Sequence, residues 1–279
     1  MERIERIGVI GNGAVGMLMA SLLASDYEVT LYGRVKRPEM VRIERSGKTE
    51  GVTTVPLLPV SELDERTQDV FFVTTKAHQL EEATSRLSGD VPVFLCANGI
   101  GHLDFAKRRG FGLGVVEHGV TKDGTQIDHR GLGRIRIGSL IHGSPLHFTP
   151  SPLRLTWETD IEHVLLEKLF ANAIINPVTA LARVPNGALA HNPLQDVAHA
   201  IYEELTALYG DRVPYAYVAS IIEQTATNRS SMLRDVESGQ KTEVDAILGP
   251  IVRRAEEEAI PLRLIPTLHK LILGANASC

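Results

Sequence analysis

Residues 7–16 read IGVIGNGAVG, a short apolar run that ends in Gly11-x-Gly13-x-x-Gly16. An apolar helical segment, Met17 to Ala24, comes next, and then a second short apolar run, EVTLY at 28–32. Strand, glycine turn, helix and strand in that order are the context of a dinucleotide-binding unit. The three glycines serve different ends. Gly11 permits the tight turn, Gly13 lets the backbone approach a pyrophosphate, and Gly16 lets the helix pack close to the strand. The helix N-terminus then presents free N–H groups to the phosphate. The expected cradle is Gly11, Asn12, Gly13, Ala14, Val15 and Gly16.

The residues after the second strand separate the two nicotinamide dinucleotides. An NAD site usually has a carboxylate there to bind the ribose hydroxyls. This chain has Gly33-Arg34-Val35-Lys36-Arg37 instead. An acid would repel a 2′-phosphate, whereas an arginine fork holds it. The pattern favours NADP(H) with Arg34 as its reader; the competing reading is a set of solvated loop charges. Two further strands end suggestively, VFFVTT (70–75) before Lys76 and VPVFLCA (91–97) before Asn98. Ligands of open α/β sheets bind beyond the carboxyl ends of the strands, so Gly11, Lys76 and Asn98 are expected at one sheet edge. After Gly114, VVEHGV (115–120) and GRIRIG (133–138) alternate with Asp-Gly and Gly turns and read as appended antiparallel strands. SPLRLTWETD (151–160) supplies a last strand and an exit, with Asp160 placed to cap a helix.

With 279 residues the chain is long enough for two domains, and the boundary is expected between 1–160 and 161–279. The formal net charge of −5 disfavours an extended nucleic-acid surface. No stretch approaches the roughly 20 apolar residues that a membrane span requires, and no signal peptide follows the N-terminus. Cys96 sits in an apolar run and reads as a buried thiol; Cys279 is the last residue. Two cysteines and ten scattered histidines form no metal-ligand spacing, so no metal is expected. A cytoplasmic protein without nucleic-acid or membrane partners is the expectation. The oligomeric state is open, a homodimer included.

From Ile161 the apolar spacing turns helical, over 161–176, 194–209, 214–227, 242–258 and 265–273. In KLFANAIINPVTAL (168–181), Lys168, Asn172 and Asn176 stand four apart and line one helix face, flanked by Leu165, Leu169, Ile174 and Ile175. Pro177 disfavours α geometry at Asn176, so the helix is expected to bend or end there. An exposed amphipathic face would carry more charge than one lysine and two asparagines, and asparagine is a poor helix former. The sharper reading is a cleft wall presenting an ammonium and two amides to a small polar ligand. In TNRSSMLRDVESGQKTEVDAI (227–247), Ser230 and Ser231 read either as helix caps or as ligand groups. Glu243 reads either as a charge complementing a helix N-terminus or as a site residue.

Taken together these motifs resemble the ketopantoate reductase (2-dehydropantoate 2-reductase) family over nearly the whole chain. GNGAVG resembles its glycine fingerprint, and Arg34 falls at its 2′-phosphate arginine. TTKAHQ carries its lysine as Lys76, and ANGIG its asparagine as Asn98. KLFANAIINPVTAL resembles its K-x-x-x-N-x-x-x-N-P-x-T-A signature. PNG supplies Asn186, NRSSML supplies Ser231 and KTEVD supplies Glu243. The resemblance implies an α/β fold: an N-terminal Rossmann-like NADP-binding domain, then an all-α domain, with the active site in the interdomain cleft. It implies NADPH-dependent reduction of 2-dehydropantoate to (R)-pantoate, in pantothenate and coenzyme A biosynthesis.

By resemblance, Lys168 is the general acid, and Asn98, Lys168, Asn172, Asn176, Asn186 and Ser231 hold substrate. Lys76, Asn98, Val120 and Glu243 are expected at the cofactor. Val120 departs from the pattern, since the family more often has a small residue there. As hydride arrives, an ammonium within reach can stabilise the carbonyl oxygen and protonate it. A free lysine titrates at about 10.4; burial lowers that value and a carboxylate such as Glu243 raises it. The alternatives are a reductase of another 2-keto acid and a non-catalytic NADPH-binding redox sensor, which would have no need of the Lys-Asn-Asn stripe.

Overall fold

A computed structural model describes residues 4–141 and 145–277; Cys279 lies outside them. By contact the chain divides into two compact units, Met1–Ala97 with His102–Ile161, and Asn98–Gly101 with Glu162–Cys279. The four residues after the strand run VFLCA thus belong with the helices.

The first unit comprises, in chain order, β1 (Arg6–Ile10), α1 (Ala14–Leu23), β2 (Glu28–Gly33), β3 (Glu39–Gly47), β4 (Gly51–Pro59), β5 (Val70–Val73), α2 (Leu80–Ala83), β6 (Val93–Leu95), α3 (Leu103–Arg109), β7 (Gly112–Val116), β8 (Gly119–Asp123), β9 (Gln126–Gly131), β10 (Ile135–Gly138) and β11 (Leu155–Trp157). The strands form one sheet in the order β11-β10-β7-β6-β5-β1-β2-β4-β3-β9-β8. Its centre is parallel: Val9 of β1 lies between Leu31 of β2 and Phe72 of β5. Ile7, Val9, Ile10, Phe71, Phe72 and Val73 are fully buried. Covered on both faces, these strands read as unbroken apolar runs rather than as alternations. The antiparallel additions are β10 on β7, the β3–β4 hairpin and the β8–β9 hairpin. Cys96 is a buried thiol outside any disulfide, as its apolar setting leads one to expect.

A buried histidine pair ties the β8–β9 hairpin down. His118 Nε2 lies 3.0 Å from the Leu153 carbonyl, His118 Nδ1 lies 3.0 Å from His129 Nε2, and His129 Nδ1 lies 2.9 Å from Thr49 Oγ1. A carbonyl only accepts, so His118 carries its proton on Nε2 and accepts at Nδ1. His129 then donates from Nε2 to His118, and its Nδ1 meets the Thr49 hydroxyl, which can donate or accept. The bond into His118 Nδ1 needs that imidazole neutral. Burial, the largest cause in each, holds both pKa values below the ordinary 6.5.

The helical unit comprises α4 (Ile161–Ala182), α5 (Leu194–Tyr209), α6 (Tyr215–Gln224), α7 (Ser231–Glu237), α8 (Val244–Glu257) and α9 (Leu264–Ala277). Its core includes Phe170, Ile174, Leu205, Ile222, Leu248 and Ile265. Of the bend or end expected at Asn176, the end does not occur: α4 runs through Pro177 to Ala182. An interior proline costs about 3 kcal/mol. Ile174, Ile175 and Val178, each at most 4% exposed, supply about 1.5–3 kcal/mol apiece by burial, so packing outweighs the lost backbone bond. The membrane expectation is also corrected. At 22 residues and a mean hydropathy of 1.3, α4 is long and apolar enough to cross a bilayer by length and composition. Its most apolar stretch is 78% buried within the protein, which is why it is so apolar.

Candidate active site

The glycine turn opens one wall of a cavity of roughly 530 Å³, within the usual range for a small-ligand or cofactor site. Lining it are Gly11, Asn12 and Gly13 from the turn, Gly33 and Arg34 after β2, and Thr74, Thr75 and Lys76 after β5, with Lys122 of β8. The three glycines differ in what they meet. Gly11 sits at φ +116, where a side chain is strained, and a Cβ on Gly16 would stand 1.8 Å from the Gly11 carbonyl oxygen. A Cβ on Gly13 would meet no protein atom within 4 Å. Gly11 and Gly16 therefore build the turn and seat α1, whereas the bare Gly13 leaves ligand space. No acidic residue stands in the first turn of α1, and its leading N–H groups lack intrahelical acceptors by helix geometry. Arg34, Lys76 and Lys122 face a single carboxylate, Glu82, around the same cavity. Open glycine backbone, a helix N-terminus and a cationic wall fit a dinucleotide bearing an extra phosphate.

The helical unit holds a second cluster. Lys168 Nζ donates to Asn98 Oδ1 at 2.7 Å, and Asn98 Nδ2 donates to Glu243 Oε2 at 2.8 Å. An amide has one accepting and one donating end, and this orientation satisfies both neighbours at once. The asparagine thus transmits order from a carboxylate to an ammonium. Its placement depends on Gly99, at φ +78, where a Cβ would stand 1.9 Å from the Ala246 carbonyl oxygen. Only a glycine lets the loop lie directly on the first turn of α8. Glu243 precedes that turn and makes no side-chain capping bond; its carboxylate is directed to Asn98 while still complementing the helix dipole.

The polar stripe on α4 deepens along its length. Lys168 and Asn172 are half-buried and Asn176 is 6% exposed, while Leu165, Leu169, Ile174 and Ile175 beside them are buried. It is not an exposed amphipathic face. Asn186 opens a short 3₁₀ turn, 7% exposed; its Nδ2 donates to Thr225 Oγ1 at 3.0 Å and its Oδ1 is buried without a partner among the described residues. The two adjacent serines differ in setting. Ser230 is the N-cap of α7, accepting from Leu233 N at 3.1 Å, with Thr179 Oγ1 2.7 Å away. Ser231 is exposed on the first turn.

Of the residues expected around a cofactor, Gly11, Asn12, Gly13, Arg34 and Lys76 line the first cavity. Ala14, Val15 and Gly16 form the first turn of α1 behind it, and Val120 lies on β8 outside its lining. Asn98, expected at the same sheet edge as Gly11 and Lys76, makes its side-chain bonds with Lys168 and Glu243 in the helical unit. Lys122 is the residue that the motifs miss. It stands 110 positions from Asn12, to whose carbonyl it donates at 2.7 Å, so no local pattern reveals the contact.

Residues 7–141 match the family model described as ketopantoate reductase PanE/ApbA, and residues 160–276 match the one described as its C terminal. The chain is 32% identical to the 2-dehydropantoate 2-reductase of Bacillus subtilis over 91% of this chain and 92% of that protein. It is 31% identical to the 2-dehydropantoate 2-reductase of Archaeoglobus fulgidus over 99% of each. The solved structure of a probable 2-dehydropantoate 2-reductase from Bacillus subtilis has a TM-score of 0.85 at 29% identity, covering 97% of this chain and 99% of that one.

Proposed function

This chain belongs to the ketopantoate reductase family, and from that premise we propose that it reduces 2-dehydropantoate to pantoate with NADPH, Lys168 serving as the general acid. The observation that carries the assignment of roles is the Lys168–Asn98–Glu243 chain of hydrogen bonds. NADPH, when bound, supplies the hydride; Gly11, Asn12, Gly13, Arg34 and Lys76 are the residues that would hold it.

What the protein itself must do is manage the charge that develops on the ketone oxygen. A positioned ammonium meets that charge with a full positive charge and a transferable proton. Asn98 fixes Nζ through one of its three donors, and Glu243 fixes the amide. The half-buried Asn172 and the deeper Asn176 each offer an accepting and a donating end, which suits a substrate chain bearing hydroxyls. Asn186, with an Oδ1 unpartnered among the described residues, and Ser231 complete the substrate contacts in this reading. The reading places the protein in the cytoplasm, with a small 2-keto acid as its partner and a homodimer as the assembly to test by light scattering.

The test is NADPH oxidation by the purified protein with 2-dehydropantoate, with NADH and 2-ketoisovalerate as controls. Rapid turnover is expected only with NADPH and 2-dehydropantoate. Tight NADPH binding without turnover would reject the substrate, and absence of NADPH binding would reject the cofactor.

A further inference from the structure

We propose that Lys122 is a phosphate-binding residue of the dinucleotide site, acting on the pyrophosphate and not on the 2′-phosphate. The inference rests on the cofactor reading above. β8 stands at the far end of the sheet, separated from β1 by β2, β4, β3 and β9. Yet Lys122 Nζ lies 2.7 Å from the carbonyl oxygen of Asn12, in the turn between β1 and α1. The sheet edge therefore curls over α1 and brings its lysine back to the glycine turn.

An ammonium has three donors. One is engaged by the Asn12 carbonyl, and the others find no protein acceptor among the described residues. Lys122 also lines the cavity together with Gly11, Gly13 and Arg34. The carbonyl anchors the ammonium at the turn, beside Gly13, the one glycine of that turn whose missing side chain leaves open space. The turn is where the helix N-terminus addresses a pyrophosphate. Arg34 follows β2, the position from which a 2′-phosphate is read. The two cations thus address different phosphates of one ligand. A lysine there behaves as a point charge on a flexible stem, suited to a diphosphate whose oxygens share the charge.

The experiment measures Kd for NADPH and for NADH by fluorescence titration, without substrate, in the wild type and in Lys122→Met and Lys122→Arg, with the Tm of each apoprotein. Lys122→Met is expected to weaken both dinucleotides by about tenfold or more and to flatten the salt dependence of binding, with Lys122→Arg restoring most of the affinity. Loss of NADPH affinity alone would move Lys122 to the 2′-phosphate and overturn the assignment. A lowered Tm with both Kd values within twofold of wild type would make it a structural tether only, again overturning it. A wild type that binds neither dinucleotide would instead fail the underlying cofactor reading.

Discussion

Replacing Asn98 by alanine isolates the link between Glu243 and Lys168. The substitution removes two charge-assisted hydrogen bonds, one of 2.7 Å donated by the ammonium and one of 2.8 Å donated to the carboxylate. A hydrogen bond to a charged group is worth about 1.5–3 kcal/mol. The bond that holds Nζ in place is the one expressed when the proton moves, so kcat should fall roughly 10- to 150-fold. Glu243→Gln tests the other end. If Glu243 acts on turnover through the amide, it has little left to act on once the amide is gone. The double variant should then show a coupling of about 0.5–3 kcal/mol in kcat. The assay is steady-state NADPH oxidation at saturating 2-dehydropantoate, with NADPH affinity followed separately. Additive losses within about 0.5 kcal/mol would show that Glu243 does not reach Lys168 through Asn98, and the relay would be abandoned.

Three further outcomes are expected. Lys168→Ala should lower kcat by about 10²- to 10⁴-fold, the usual span of general acid catalysis, while the Kd for NADPH measured by fluorescence stays near wild type; near-normal turnover removes Lys168 from proton transfer. Arg34→Ala should weaken NADPH about 10- to 100-fold, from the loss of a charge-assisted phosphate contact, and leave NADH unchanged; equal losses for both would detach Arg34 from the 2′-phosphate. The buried histidine pair makes stability depend on pH. Both pKa values are lowered in the folded state, so the unfolded chain binds more protons in acid. The stabilisation is whole above the unfolded value of about 6.5 and is lost as pH falls from there through the depressed folded values. Thermal melts across that window should show Tm falling on acidification, and less steeply in a His118→Asn/His129→Asn double variant. Parallel slopes would show that the pair is not the group titrating.

The parts of this molecule that are legible in the sequence are those whose physics is local. The glycine turn declares itself because its three glycines sit within six positions, and each meets a different local requirement. The Lys168–Asn172–Asn176 face declares itself because four-residue spacing maps directly onto a helix side. The β3–β4 hairpin is harder to read, although Val41, Ile43 and Val55 are buried. Its outward positions carry Arg42, Glu44 and the exposed Val52, and Pro56, a poor strand residue, stands inside the second strand. Contacts across long separations leave no trace: Asn98 and Glu243 are 145 positions apart, and Lys122 is found only by following the strand order round the sheet. The continuation of α4 past Pro177 escapes the sequence for a related reason. Local backbone preference argues for a bend or an end, and the burial that carries the helix onward belongs to the assembled core.

That override has a consequence for what α4 can carry. Asn172 and Asn176 are each about 0.5–0.7 kcal/mol worse than alanine in a helix, and neither amide makes a side-chain hydrogen bond among the described residues. Asn176 is 6% exposed, and its amide atoms are not among those buried without a partner, so the little of the residue that stays accessible includes its polar end. In a helix held mainly by propensity these residues would be a liability. In one held by Ile174, Ile175 and Val178 they are tolerated, and the reason for having them has to lie in a ligand. Asn172→Ala and Asn176→Ala should therefore leave Tm unchanged or raise it by about 1–3 °C, taking about 0.5–0.7 kcal/mol across a chain of this size, while KM for 2-dehydropantoate rises about tenfold or more. If instead Tm falls by several degrees and KM holds, the two amides serve the fold, and the polar face of α4 has to be reassigned from substrate recognition to structure.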